Sequence, residues 1–265
     1  MVHPRSFENH LCKLDERIAK YSASTDSREN VALIGSSYVS MLGDDSAIYN
    51  LGLHSACPSE YSALASLCRK HDVVLCAVTI RDIAVLQGRG ILGDRNRLPV
   101  RNSLWRELSI LRGIVRYQSG LFELPATAST VTSYDIQEVE RYLGEGVSRR
   151  VASGVARQCL GFPVDAQNVS LKVFEKIYAK HPNIIFILFP SCPFIRPPNT
   201  NSLIKERITS FIDTEIALRE ALAQSNLPYI ELSLEPSGYQ DSWHYNAHGT
   251  ASIWRQLEAL FCQQA

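Results

Sequence analysis

Ser37, Asp241 and His244 are the residues of this 265-residue chain whose types and placement point most directly to chemistry. A serine hydroxyl is a poor nucleophile. It attacks an acyl carbon when an imidazole takes its proton and a carboxylate holds that imidazole in the right tautomer. Ser37 ends Gly35-Ser36-Ser37, where the glycine lets the chain turn sharply and a small residue leaves the next hydroxyl and its N–H facing a cleft. Asp241 and His244 lie in Asp-Ser-Trp-His-Tyr-Asn-Ala-His-Gly, with Asn246 placed to cap a following helix and so fix the loop. A Gly-Ser-Ser also serves as an ordinary turn or a phosphate-binding turn, and an Asp-x-x-His pair arises by accident. The elements carrying these residues have to choose among the readings.

Short apolar runs at Val31 to Ile34, Ala47 to Leu51, Val73 to Val78, Ile184 to Phe189 and Tyr229 to Leu232 read as strands. Most are continuous and rich in Val, Ile, Leu or Phe, as strands buried on both faces are. Helical spacing marks Glu8 to Tyr21, Glu60 to His71, Val169 to Lys180, Leu203 to Gln224 and Ala247 to Phe261. The alternation predicts a three-layer α/β fold, a flavodoxin-like parallel sheet of about five strands with helices on both faces. Residues 84–167 exceed what one crossover needs. They read as a helical insertion within a single domain spanning 1–265, with helices expected over Ser103 to Arg116 and Asp135 to Arg150.

In an open parallel sheet, ligands sit outside the carboxyl ends of the strands. That rule gathers Gly35 to Ser37, Gly52, Thr79, Arg81, Asp82, Ser191, Cys192, Asp241 and His244 on one rim. A nucleophile, a base, an orienting carboxylate and backbone donors converge there, as acyl transfer requires.

Composition narrows the partners. Lys plus Arg and Asp plus Glu each number 27, so no overall field draws the chain to nucleic acid or an anionic membrane. No segment approaches the apolar length of a transmembrane helix. Seven scattered cysteines without a CxxC pair fit a reduced, cytoplasmic setting and no zinc site. Gly88-Arg89-Gly90 is too short for a dinucleotide fingerprint and no Walker pattern is present, so no cofactor and no metal are expected. A metal held by Asp241, His244 and His248 is the weaker alternative.

The chain resembles the SGNH hydrolases, also called the GDSL-type esterases. Gly35-Ser36-Ser37 is similar to the family's first block, usually Gly-Asp-Ser. Gly52 is similar to the isolated second-block glycine, and Asp241, His244 and Gly249 to the last block. The resemblance implies nucleophile Ser37, base His244, carboxylate Asp241, and oxyanion donors from the N–H groups of Ser37 and Gly52. The third block departs: where the family has Gly-x-Asn-Asp, this chain has Thr79-Ile80-Arg81-Asp82. Arg81 thus stands at the position of the oxyanion asparagine: either it donates to the oxyanion or to an anionic substrate group, or the hole has backbone donors alone, or the site has drifted from esterase work.

The expected activity is acyl-ester hydrolysis through an acyl-Ser37 intermediate, on a carbohydrate or small hydroxylated metabolite. O-acyl transfer to a sugar is the first alternative, because branches of the family linked to polysaccharide acylation resemble the Gly-Ser-Ser form. A catalytically silent binding protein is the second. Partners are then small acyl esters, donors or acceptors. The arginines at 81, 89, 95, 97, 101, 106, 112 and 116 read as a solvated helical face or as a basic approach for an anionic substrate.

Overall fold

The computed structural model describes residues 4–23, 30–44, 47–54, 56–70, 72–87, 132–145, 147–199 and 201–261. Five strands form: β1 Val31–Ile34, β2 Ile48–Asn50, β3 Val73–Val78, β4 Ile184–Leu188 and β5 Tyr229–Glu231. All pair in parallel in the order β2-β1-β3-β4-β5. This is the flavodoxin-like order, whose crossovers diverge between β1 and β3 and open a crevice at the strand ends.

Among the described residues the helices are α1 Pro4–Ala23, α2 Ser37–Ser40, α3 Pro58–Ala65, α4 Ile80–Gln87, α5 Ser133–Arg141, α6 Arg149–Gly161, α7 Lys172–Lys180, α8 Leu203–Gln224 and α9 Ala247–Phe261. The period-2 geometry of the strands sends alternate side chains to opposite faces. Leu33, Leu75, Ala77 and Ile187 pack with residues of α2, α5, α6, α8 and α9. Ala32, Ile34, Val74, Cys76, Phe186 and Leu188 pack with residues of α1, α3 and α7 and the far end of α8. Each large apolar side chain buried in these layers stabilises the fold by about 1.5–3 kcal/mol, and together they make the sheet the rigid base of the rim.

Two of the predicted helices depart furthest from expectation. The helix predicted over Glu60 to His71 occupies Pro58–Ala65. It starts early because Pro58 follows a cap in which Glu60 accepts the Cys57 N–H at 2.9 Å. It stops early because the Arg69 N–H donates to the Tyr21 hydroxyl at 2.8 Å, which itself donates to Asp72. The helix predicted over Asp135 to Arg150 is two, α5 and α6. Between them Leu143 bridges Phe194 and the Gly144 N–H donates to the Pro193 carbonyl at 2.8 Å, so tertiary pairing overrides the helical pattern. The helix expected over Ser103 to Arg116 and the arginines from Arg89 to Arg116 lie outside the described residues.

The described part of the stretch 84–167 shares the sheet's own core through Val139, Val151, Val155, Ala156 and Val164. No helix among the described residues is long and apolar enough to cross a membrane.

Candidate active site

The nucleophile candidate is built by the turn from β1 into α2. A side chain on Gly35 would put its Cβ 2.6 Å from Val39 Cγ2, so only glycine lets the chain fold back this tightly. Ser36 is buried, and its carbonyl accepts from the N–H groups of Val39 and Ser40 at 3.1 and 3.0 Å. The Ser37 and Tyr38 N–H groups precede the first intrahelical bond, as the opening donors of any helix do.

A four-residue helix does not hold its position alone, and α2 is clamped from several sides. The Asn50 amide donates to the Val39 carbonyl at 2.9 Å. The Trp254 indole on α9 donates to the Leu42 carbonyl at 3.1 Å. The Tyr38 hydroxyl lies 2.9 Å from the Ala77 carbonyl and 2.5 Å from an Asp82 oxygen.

Asp241 and His244 arrive on the loop between β5 and α9. Tyr245 donates its hydroxyl to the Pro190 carbonyl at 2.8 Å, tying the loop to the end of β4. Asn246 accepts the Gly249 N–H at 3.0 Å and so caps α9 as its type predicts. Gly249 is needed for that packing, since a Cβ there would lie 2.1 Å from the Gly238 carbonyl oxygen.

Residues 207 positions apart in sequence then meet. His244 Nε2 lies 3.0 Å from Ser37 Oγ, and His244 Nδ1 lies 2.8 Å from Asp241 Oδ2. The other Asp241 oxygen accepts the N–H groups of Trp243 and His244 at 3.1 and 2.9 Å.

Burial pushes the Asp241 carboxyl up, but the hydrogen bond from His244, its charge and the two backbone N–H groups outweigh that and hold it below its ordinary value. An ionised Asp241 can only accept, so His244 Nδ1–H donates to it. Whenever the ring is neutral, Nε2 is then bare and can accept the Ser37 hydroxyl proton. Ser37 is 5% exposed and the His244 and Asp241 side chains 16% and 17%, so the hydroxyl is screened from bulk water while the imidazole stays reachable.

Two expected site residues have other tasks here. The Gly52 N–H donates to the Asn50 side-chain oxygen at 3.0 Å, so it is already satisfied rather than offered to an oxyanion. Gly52 is glycine for a packing reason: a Cβ would lie 2.6 Å from Val39 Cγ1 and 2.7 Å from Ser40 N.

Arg81 is also turned inward. Its side chain is 9% exposed and sits 3.5 Å from Asp82, and Nη1 donates to the Ala56 carbonyl at 3.0 Å. Asp82 is buried and receives the Tyr61 hydroxyl at 2.6 Å and the Thr79 N–H at 2.9 Å. Burial pushes its carboxyl up against the opposing pull of Arg81, Tyr38, Tyr61 and Thr79. The third-block residues therefore brace the floor under α2. Replacing Arg81 by Met should lower stability by about 3 kcal/mol, as breaking a buried pair does, and leave the ratio of KM values for anionic and neutral esters unchanged. Denaturant melts and paired kinetics check it; a KM rise confined to the anionic ester would return Arg81 to the cleft.

The remaining rim residues do not join the constellation. Cys192 is buried and its thiol is pushed up to about 12, by burial first and by Asp241 and Glu215 next, which keeps it from being a neutral-pH thiolate nucleophile. His248 is exposed on α9, whereas both ring nitrogens of His244 face Ser37 and Asp241. No protein-family model matches the chain, and no curated protein matches it.

The structure adds residues that the sequence reading passed over. Asn50 and Tyr38 hold α2, and Gln158 of α6 accepts the Ser242 N–H at 2.8 Å. Gln158 stands four residues after Gly154 beside the apolar stripe Val151, Ala152, Val155, Ala156 and Cys159. A small and a polar residue at that spacing, on the edge of a core-facing stripe, was the available signal.

Proposed function

We propose that this protein is a serine-nucleophile acyl-ester hydrolase working through an acyl-Ser37 intermediate. The observation that carries the reading is the continuous chain from Ser37 Oγ to His244 Nε2 at 3.0 Å and from His244 Nδ1 to Asp241 at 2.8 Å. In this reading His244 takes the Ser37 proton as Oγ attacks the ester carbonyl carbon. The ester C–O bond then breaks, and His244 returns the proton to the departing alcohol. Water attacks the acyl-Ser37 carbonyl in the second half, with His244 accepting its proton and handing it to Ser37 as the acid leaves. The Ser37 N–H, unbonded within α2, is the oxyanion donor this reading uses.

The resemblance to SGNH hydrolases supports the same roles, and supports a carbohydrate or small hydroxylated metabolite as the ester. With Arg81 turned inward, no described arginine is assigned to an anionic group of that ester. The free thiols of Cys68, Cys76, Cys159 and Cys192 among the described residues support a reducing, cytoplasmic setting.

A second reading has an observation of its own. Gly52 and Arg81 are engaged structurally, which thins the oxyanion hole and favours a silent binding protein of the same fold. Product analysis with an aryl acetate, with and without sugar acceptors, separates the possibilities. Acetate release that disappears in Ser37→Ala is expected. Acetylated sugar in place of acetate would make the protein a transferase, and no turnover of any ester by folded protein would favour the binding reading.

A further inference from the structure

The segment between β3 and β4 reaches the acid–base loop through α6, and does so in register. Gly154 faces Asp241 so closely that a Cβ on it would sit 3.2 Å from the Asp241 Cβ. One turn later, Gln158 Oε1 accepts the Ser242 N–H at 2.8 Å. One turn beyond that, Phe162 meets the Trp243 ring edge-on, with centroids 5.4 Å apart. Gly154 and Gln158 fall on one side of α6 because side chains four apart line up along it, and Phe162 is the residue that caps its C-terminal end. Three successive residues of the loop, 241, 242 and 243, therefore lie against two turns of α6 and its C-cap.

The opposite sides of this loop are held as well. The Ser242 carbonyl accepts the Cys192 N–H at 2.8 Å, and the Trp243 ring stacks on Phe211 of α8 at 6.4 Å. Gln158 thus completes a frame around the peptide that links Asp241 to His244. Without it, the buried Ser242 N–H would have to find another acceptor or shift.

We propose that α6 is a positioning element of the acid–base pair, with Gln158 the residue that sets where Asp241 and His244 stand relative to Ser37. The inference rests on the acyl-Ser37 reading and deepens it: the described end of the inserted stretch is coupled to the proton-transfer geometry. A misplacement of about 1 Å in such a constellation costs on the order of a hundred-fold in rate, so a single hydrogen bond to the loop backbone can matter without touching substrate. Among the described residues, Cys192, Tyr239 and Tyr245 are titratable groups around the loop, and the charges of Glu215, Arg219 and Asp82 act on them.

The test is the second-order rate of fluorophosphonate labelling of the full chain as a function of pH, together with thermal melting, for wild type, Gln158→Leu and Gln158→Glu. Gln158→Leu should lower the plateau rate by roughly ten- to a hundred-fold at a melting temperature close to wild type. Gln158→Glu keeps an acceptor for the Ser242 N–H and should keep a near-normal plateau. Its extra carboxylate beside the loop favours the imidazolium, so the midpoint of its profile should move to higher pH. A wild-type plateau in Gln158→Leu overturns the proposal. If Gln158→Leu does not fold, a Gln158→Glu profile that superimposes on wild type overturns it instead. Failure of folded wild type to label is a different result, seen before any variant, and removes the Ser37 reading along with this one.

Discussion

Alanine at position 244 should abolish turnover of an aryl acetate while leaving the fold intact. The imidazole is part-exposed and on a loop, so its removal opens no core cavity. What it removes is the sole base hydrogen-bonded to Ser37 Oγ among the described residues. Without a proton acceptor the hydroxyl must attack as a neutral alcohol, and triads that lose a member retain only what binding and the oxyanion hole supply. Steady-state kinetics with a matched thermal melt checks this. Near-normal turnover in His244→Ala would mean that the base is another histidine, and His54, two residues after Gly52, and His248 on α9 are the next to replace.

The Asp241→Asn variant carries the second-largest expected effect, a fall of roughly ten-thousand-fold, the size seen when the orienting carboxylate of a serine triad becomes an amide. The reason is local. An amide oxygen can still accept the Trp243 and His244 N–H groups that Asp241 Oδ1 accepts now, so the loop keeps its shape. The atom facing His244 Nδ1, however, becomes an NH2 donor, which stabilises the tautomer with its proton on Nε2. That tautomer cannot accept from Ser37. A loss below about ten-fold, measured as kcat/KM, would show that the His244 tautomer is set by something other than Asp241.

How far this site was legible follows from what each residue depends on. Strand runs such as Val73 to Val78 and the helix over Leu203 to Gln224 appear as the apolar pattern predicts, because burial on a sheet or along a helical face is a periodic requirement. Ser37, Asp241 and His244 came together because the parallel order places successive strand ends on one rim. Gly52 and Arg81 had their positions read correctly and their partners missed. Whether an N–H or a guanidinium faces the cleft or the interior depends on Asn50 and Asp82, and no spacing rule reports a side chain's direction. The break between α5 and α6, and the contact of Gln158 with Ser242, depend on tertiary partners far along the chain. Local periodicity marks the core-facing edge on which Gln158 stands but does not name the partner it meets.

Whether Ser37 is an activated nucleophile is read from the mass of the intact chain, with peptide mapping, after reaction with a fluorophosphonate. One adduct per chain is expected, located on Ser37, and none on the Ser37→Ala variant at matched folding. Folded wild-type protein that takes up no adduct, or carries it on another residue, would contradict it.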